Sequence, residues 1–166
     1  MHIVELVAGL AIVVGVAWDA FATVLLPRRV STRLRLSGAF FEASWGAWTA
    51  IGRRLSRFGR GESYLGMYAL LALVALFALW ATSILLGYSL IYMSFGDAFH
   101  HPGAATGFGT DLYLSGTTLF TLGIGDVTPA TSAARVAVVT ESALGLTFLA
   151  LVISYLPVLY QSFSRR

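Results

Sequence analysis

The chain contains no cysteine, so disulfides and thiolate metal sites are excluded. It contains no lysine either: all 11 basic residues are arginine. Charge of any kind is scarce, at 11% of 166 residues, where a soluble domain carries about a quarter. Phosphate-cradling loops, metal triads and Ser/His/Asp sets are missing, as are internal repeats and low-complexity tracts. These absences argue against an enzyme and imply no cofactor. What remains is 57% hydrophobic, and apolar excess on that scale points to a bilayer. The net charge of +3 then reads as membrane topology and not as a nucleic-acid footprint.

A helix needs roughly 20 apolar residues to cross the hydrocarbon core. Three stretches qualify: about Ile3–Leu26, Tyr64–Phe95 and Ser132–Tyr160. The first ends at Pro27, Arg28 and Arg29. It lacks a basic n-region and a small-residue cleavage site, so a retained helix is expected over a signal peptide. Between the second and third spans lies Asp111–Thr121, too short to cross and flanked by glycines. It is expected to be re-entrant. Such a segment implies a pore or cavity, because non-helical backbone at membrane depth must be buried in protein or line water. The expected domains are an N-terminal span (1–27), an Arg-rich linker (28–63) and a membrane domain (64–166). The last holds an outer helix (64–95), a short helix (111–121), a loop (121–126) and an inner helix (132–160).

Arginine sets the orientation. Residues 28, 29, 33, 35, 53, 54, 57 and 60 are Arg, and Arg165 and Arg166 close the sequence, whereas 96–111 has no Lys or Arg. The positive-inside rule places the linker and C-terminus in the cytoplasm and the N-terminus outside, for a multi-pass protein of the cell membrane. No span carries Arg at every third position, which argues against a voltage sensor. Within the linker, Leu34, Phe41, Trp45, Trp48 and Leu55 recur at helical spacings between polar residues. The pattern predicts an amphipathic helix on the inner membrane surface, where the arginines would meet anionic lipids. The alternative is a cytoplasmic helix packed on its own bundle.

The segment that carries chemistry is DLYLSGTTLFTLGIGDVTP, Asp111–Pro129. In TLGIGD, glycine at alternate positions permits backbone torsions closed to other residues. Successive carbonyls could then face one side, with Leu122 and Ile124 turned away to pack on the short helix. Four such strands about an axis stack rings of carbonyl oxygens that replace the hydration shell of a monovalent cation. The carbonyls of Thr121, Leu122, Gly123 and Ile124 would supply the rings, and the Thr121 hydroxyl one more. One strand cannot enclose an ion, so a homotetramer is expected.

This segment resembles the two-transmembrane pore module of the potassium channel superfamily. The resemblance covers about residues 65–160. It rests on TLGIG followed by Asp126, on Arg135 opening the third span, and on Gly145 lying 20 residues after Gly125. It implies an all-α membrane protein with three transmembrane helices, a re-entrant pore helix and a filter loop, assembled as a tetramer. The implied activity is passive cation conduction, with potassium as the permeating ion. Non-selective or sodium-permeable conduction is the rival within this architecture; a non-conducting anchor is the rival outside it. The implied roles are ion conduction for Thr121, Leu122, Gly123, Ile124 and Gly125, and filter support for Thr117, Thr118 and Asp126. Two departures bear on selectivity. Ile124 stands where the family carries an aromatic residue and cannot donate a phenolic hydrogen bond. Tyr113 and Leu114 stand where many members carry Trp.

Five further positions are singled out. Gly145 is a candidate gating hinge or a site of close helix packing. Glu141 is an intramembrane acid, expensive there unless it faces a cavity or a partner. It is either a cation-attracting or proton-sensitive group near the filter, or a group hydrogen-bonded to a pore-helix Thr. Asp19 in the first span is expected to contact a second span or a linker Arg. His100 and His101 read as solvated loop residues.

Overall fold

The computed structural model describes residues 2–24, 36–55, 61–100 and 107–164. Among these, the elements follow in the order α1 (Ile3–Val24), α2 (Leu36–Leu55), α3 (Gly61–Phe95), β1 (Phe99–His100), α4 (Phe108–Leu119), β2 (Thr128–Pro129) and α5 (Ser132–Ser164). Three helices are long and apolar enough to cross a membrane, over Ile3–Thr23, Leu71–Phe95 and Ser132–Ser154. The helix α4 is too short to do so. The Pro27–Arg29 stop, Arg33, Arg35, Arg57, Arg60, His101 and the terminal arginines lie outside the described residues.

Several bounds differ from expectation. α3 starts at Gly61, before Tyr64. α4 covers Phe108–Leu119 and not 111–121. It begins earlier because the Thr110 and Asp111 amides both donate to the Gly107 carbonyl. It ends earlier because Thr121 takes a positive φ of 57°, which no α-helix accommodates. α5 continues through Pro157 to Ser164; membrane helices tolerate proline where neighbouring groups re-satisfy the freed carbonyl.

The chain divides into two units, Gly15–Ala81 and Met1–Val14 with Thr82–Arg166. In the first, Asp19 is the buried organising group. Its carboxylate accepts hydrogen bonds from the Ser37 amide (3.0 Å), the Ser37 hydroxyl (2.9 Å) and the Trp80 indole (3.0 Å). It thereby satisfies one of the unpaired first-turn amides of α2 and sets a negative charge at that helix's positive end. The expected partner in a second span is Trp80; the linker partner is Ser37.

Tyr68 holds α2 further along. Its hydroxyl is 2.9 Å from that of Ser44, and its ring meets Trp45 and Trp48 at centroid distances of 5.0 and 5.6 Å. Tyr68 precedes the membrane-length part of α3 and lies about 18 Å along the helix from Trp80. α2 therefore packs beside this part of α3 through Ser44, Trp45 and Trp48. The cause is tertiary: Asp19 and Tyr68 supply polar and aromatic partners to one face, while Phe41 and Trp45 stay exposed.

In the second unit, α1 meets α3 at a pair of glycines. A Cβ on Gly9 would fall 2.5 Å from the Gly87 carbonyl oxygen, and one on Gly87 would fall 2.7 Å from a Val13 methyl. Small residues let membrane helices approach closely where no hydrophobic driving force acts between them. One end of this contact is closed by the His2 amide, which donates to the Ser94 carbonyl. The strands β1 and β2 pair antiparallel, Phe99 with Pro129 and His100 with Thr128. The Ala130 amide adds a 2.8 Å bond to the Ala98 carbonyl.

Candidate functional site

The site is built on the C-terminal end of α4. A helix leaves its last four carbonyls without intrahelical partners. Here the chain beyond the helix folds back to supply donors to three of them. The Phe120 amide donates to Gly116 O and the Thr121 amide to Thr118 O. The Thr117 carbonyl accepts from Leu122 (2.8 Å) and from Gly123 (3.3 Å). The segment 121–126 is thus seated on the helix by its first three amides.

Its backbone alternates. Thr121, Gly123 and Gly125 have φ of 57°, 58° and 80°, whereas Leu122 and Ile124 are not in the left-handed region. Two of the three left-handed positions are glycine, which enters that region without a Cβ penalty. The third is a β-branched residue, a rare conformation that costs of order 1–3 kcal/mol and clusters at functional sites. Every second residue being left-handed turns successive peptide planes toward a common side.

The side chains of this segment are uncovered. Leu122 and Ile124 are 65% and 59% exposed. They were expected to pack on the pore helix; within a single chain they do not. The apolar face of α5 is similarly open at Val136, Val139, Leu146 and Ile153.

Of the expected support residues, Thr117 and Thr118 are buried. The Thr117 hydroxyl bonds back to Leu114 O in its own helix, so its support comes from the carbonyl. Asp126 accepts from the Val127 amide at 3.0 Å. Its carboxylate also lies against the Tyr113 hydroxyl; as a hydrogen-bond acceptor and a negative charge it raises that phenol above its ordinary pKa. Tyr113, noted in the sequence only as a departure, is therefore a partner of Asp126.

Glu141 is fully buried and turns to α4. Its Oε1 is 2.5 Å from the Ser115 hydroxyl, and the Tyr92 hydroxyl of α3 donates to its Oε2. The pore-helix partner is a serine, not the expected threonine. Ser115 and Tyr92 were missed because each is one of several hydroxyls on its helix, with nothing in the sequence to tie that one to a distant acid. One turn further, Gly145 meets the backbone of Leu119: a Cβ would lie 2.2 Å from the Leu119 carbonyl oxygen. Of the two roles left open for Gly145, close packing is what this contact provides. Elsewhere, His100 is exposed, and among the described residues no group of three or more His, Cys, Asp or Glu could hold a metal ion.

A short helix, a seated loop of alternating handedness and two long flanking spans make up the pore module anticipated above. The ion channel family matches residues 75–161, more than half of the chain. The chain belongs to this ion channel family. The matched region takes in the second half of α3, α4, the loop and nearly all of α5. The channel's α1 and α2 lie outside it. No curated protein and no solved structure matches the channel sequence.

Proposed function

We propose that this channel subunit forms, as a homotetramer, a passive potassium-selective pore whose filter is four copies of Thr121–Asp126. The observation that carries the proposal is the alternation of handedness at Thr121, Gly123 and Gly125. Peptide planes turned to one side present the carbonyls of Thr121, Leu122, Gly123 and Ile124, with the Thr121 hydroxyl, as stacked ligands for a dehydrated cation. The negative end of the α4 dipole favours a cation at the inner end of the loop. A ring of four Asp126 carboxylates would concentrate cations at the outer mouth. Uncovered Leu122, Ile124 and the open face of α5 are the surfaces that three further copies would bury. The N-terminus lies outside the cell membrane and the Arg-rich linker inside, beside anionic lipid headgroups.

Purified protein in liposomes with opposed potassium and sodium gradients tests this. A reversal potential near that of potassium, from a tetrameric species, is expected. Equal permeability would replace selectivity with general cation conduction, and a dimer or trimer would remove the filter altogether.

A further inference from the structure

Glu141 and Gly145 stand one turn apart on α5, and their partners Ser115 and Leu119 stand one turn apart on α4. Residues spaced by four share a helix face, so the two pairs form successive rungs between the same two faces. The upper rung is polar and extends to a third helix: Tyr92 on α3 and Ser115 on α4 both bond the Glu141 carboxyl. The lower rung is backbone against backbone, with no side chain between Gly145 and the Leu119 carbonyl. Immediately beyond Leu119 the filter begins, seated on Thr117 O.

We infer that Glu141 is a positioning residue that clamps the filter-bearing end of the pore helix to the inner and outer helices, so that α5 and the base of the filter move as one body. The inference rests on the filter assignment above. Its consequence is that a displacement of the inner helix reaches the filter directly, without a hinge at Gly145 to absorb it.

The hydrogen inventory says which feature of Glu141 matters. Tyr92 has one hydroxyl hydrogen, directed to Oε2. Ser115 has one, with Glu141 Oε1 at 2.5 Å and Leu85 O at 3.0 Å both in reach. A side-chain amide meets the same demands: its NH2 donates to Ser115, freeing the serine hydrogen for Leu85 O, and its carbonyl accepts from Tyr92. The clamp therefore needs the shape and two hydrogen-bonding atoms of Glu141 and does not need its charge.

The test compares wild type, Glu141→Gln, Glu141→Ala and Ser115→Ala as assembled protein in lipid nanodiscs and liposomes. Two readouts are taken: hydrogen exchange of the 117–123 segment, whose Leu122 and Gly123 amides bond Thr117 O, and the potassium-to-sodium permeability ratio. Glu141→Gln should match wild type in both. Glu141→Ala and Ser115→Ala should raise exchange about tenfold, equivalent to about 1.4 kcal/mol for a lost buried hydrogen bond, and lower the permeability ratio. Ser115→Ala removes only an oxygen and keeps the test open should Glu141→Ala fail to assemble. Wild-type exchange in Ser115→Ala, or Glu141→Gln behaving like alanine, overturns the clamp. A wild type that does not discriminate potassium overturns the filter assignment instead, while the exchange data still judge the clamp.

Discussion

Replacing Gly145 by alanine separates two roles for that residue by the sign of a single number. If the glycine serves as a hinge, alanine stiffens the helix and improves its propensity by up to about 1 kcal/mol. Melting temperature would then rise while gating suffers. If it serves as the lower rung, the new Cβ meets Leu119 O at 2.2 Å, Leu119 C at 3.0 Å and Leu119 Cα at 3.2 Å. All three are backbone atoms, which cannot swing aside as a flexible side chain would. Overpacking typically costs about 1–3 kcal/mol, and a backbone contact this close belongs at the upper end. Set against the propensity gain, the net is about 2 kcal/mol of destabilisation per subunit, or a melting temperature lower by about 5 °C. Differential scanning fluorimetry of the detergent-solubilised protein reads this directly. Gly15→Ala is the control, because a Cβ there meets nothing within 4 Å and should leave stability equal or higher. A Gly145→Ala protein that melts at or above wild type would refute the packing role.

Two further outcomes are expected. Asp19→Ala should destabilise the protein by about 2 kcal/mol or more, since the Ser37 amide and the Trp80 indole lose a buried acceptor; Asp19→Asn, which keeps one acceptor oxygen, should lose less in the same melt. Asp126→Asn should let Tyr113 ionise at lower pH than in wild type, read as an ultraviolet difference titration against Tyr113→Phe, because the carboxylate is what raises that phenol. The sign follows: the stability contributed by this pair is present at neutral pH and is lost as pH rises through the raised phenol pKa.

How far the sequence carried depended on the range of each interaction. The three spans were legible because apolar length is a local property, and TLGIGD was legible because alternate glycines leave few backbone conformations to choose from. The end of the pore helix was misplaced by two residues because Phe120 and Thr121 continue the pattern of a helix that the backbone leaves after Leu119. Gly145 was located by its distance from the filter, but its role needed the Leu119 carbonyl, which only tertiary structure supplies. The close approach of Gly9 and Gly87 has no signal in the sequence, since it is a property of the pair and not of either residue. The contacts of α2 were beyond sequence for the same reason: Ser44 and its partner Tyr68 lie 24 residues apart along the chain.

The strand pair has a mechanical consequence. Pairing Phe99 with Pro129 brings together the two chain segments that lead into and out of the pore loop. Everything between them is a noose closed at its neck. Tension that pulls the end of α3 and the start of α5 apart would load the neck first, across the strand bonds and the link from Ala130 to Ala98. If Thr121–Asp126 acts as proposed, this closure would hold the two ends of its loop at a fixed separation.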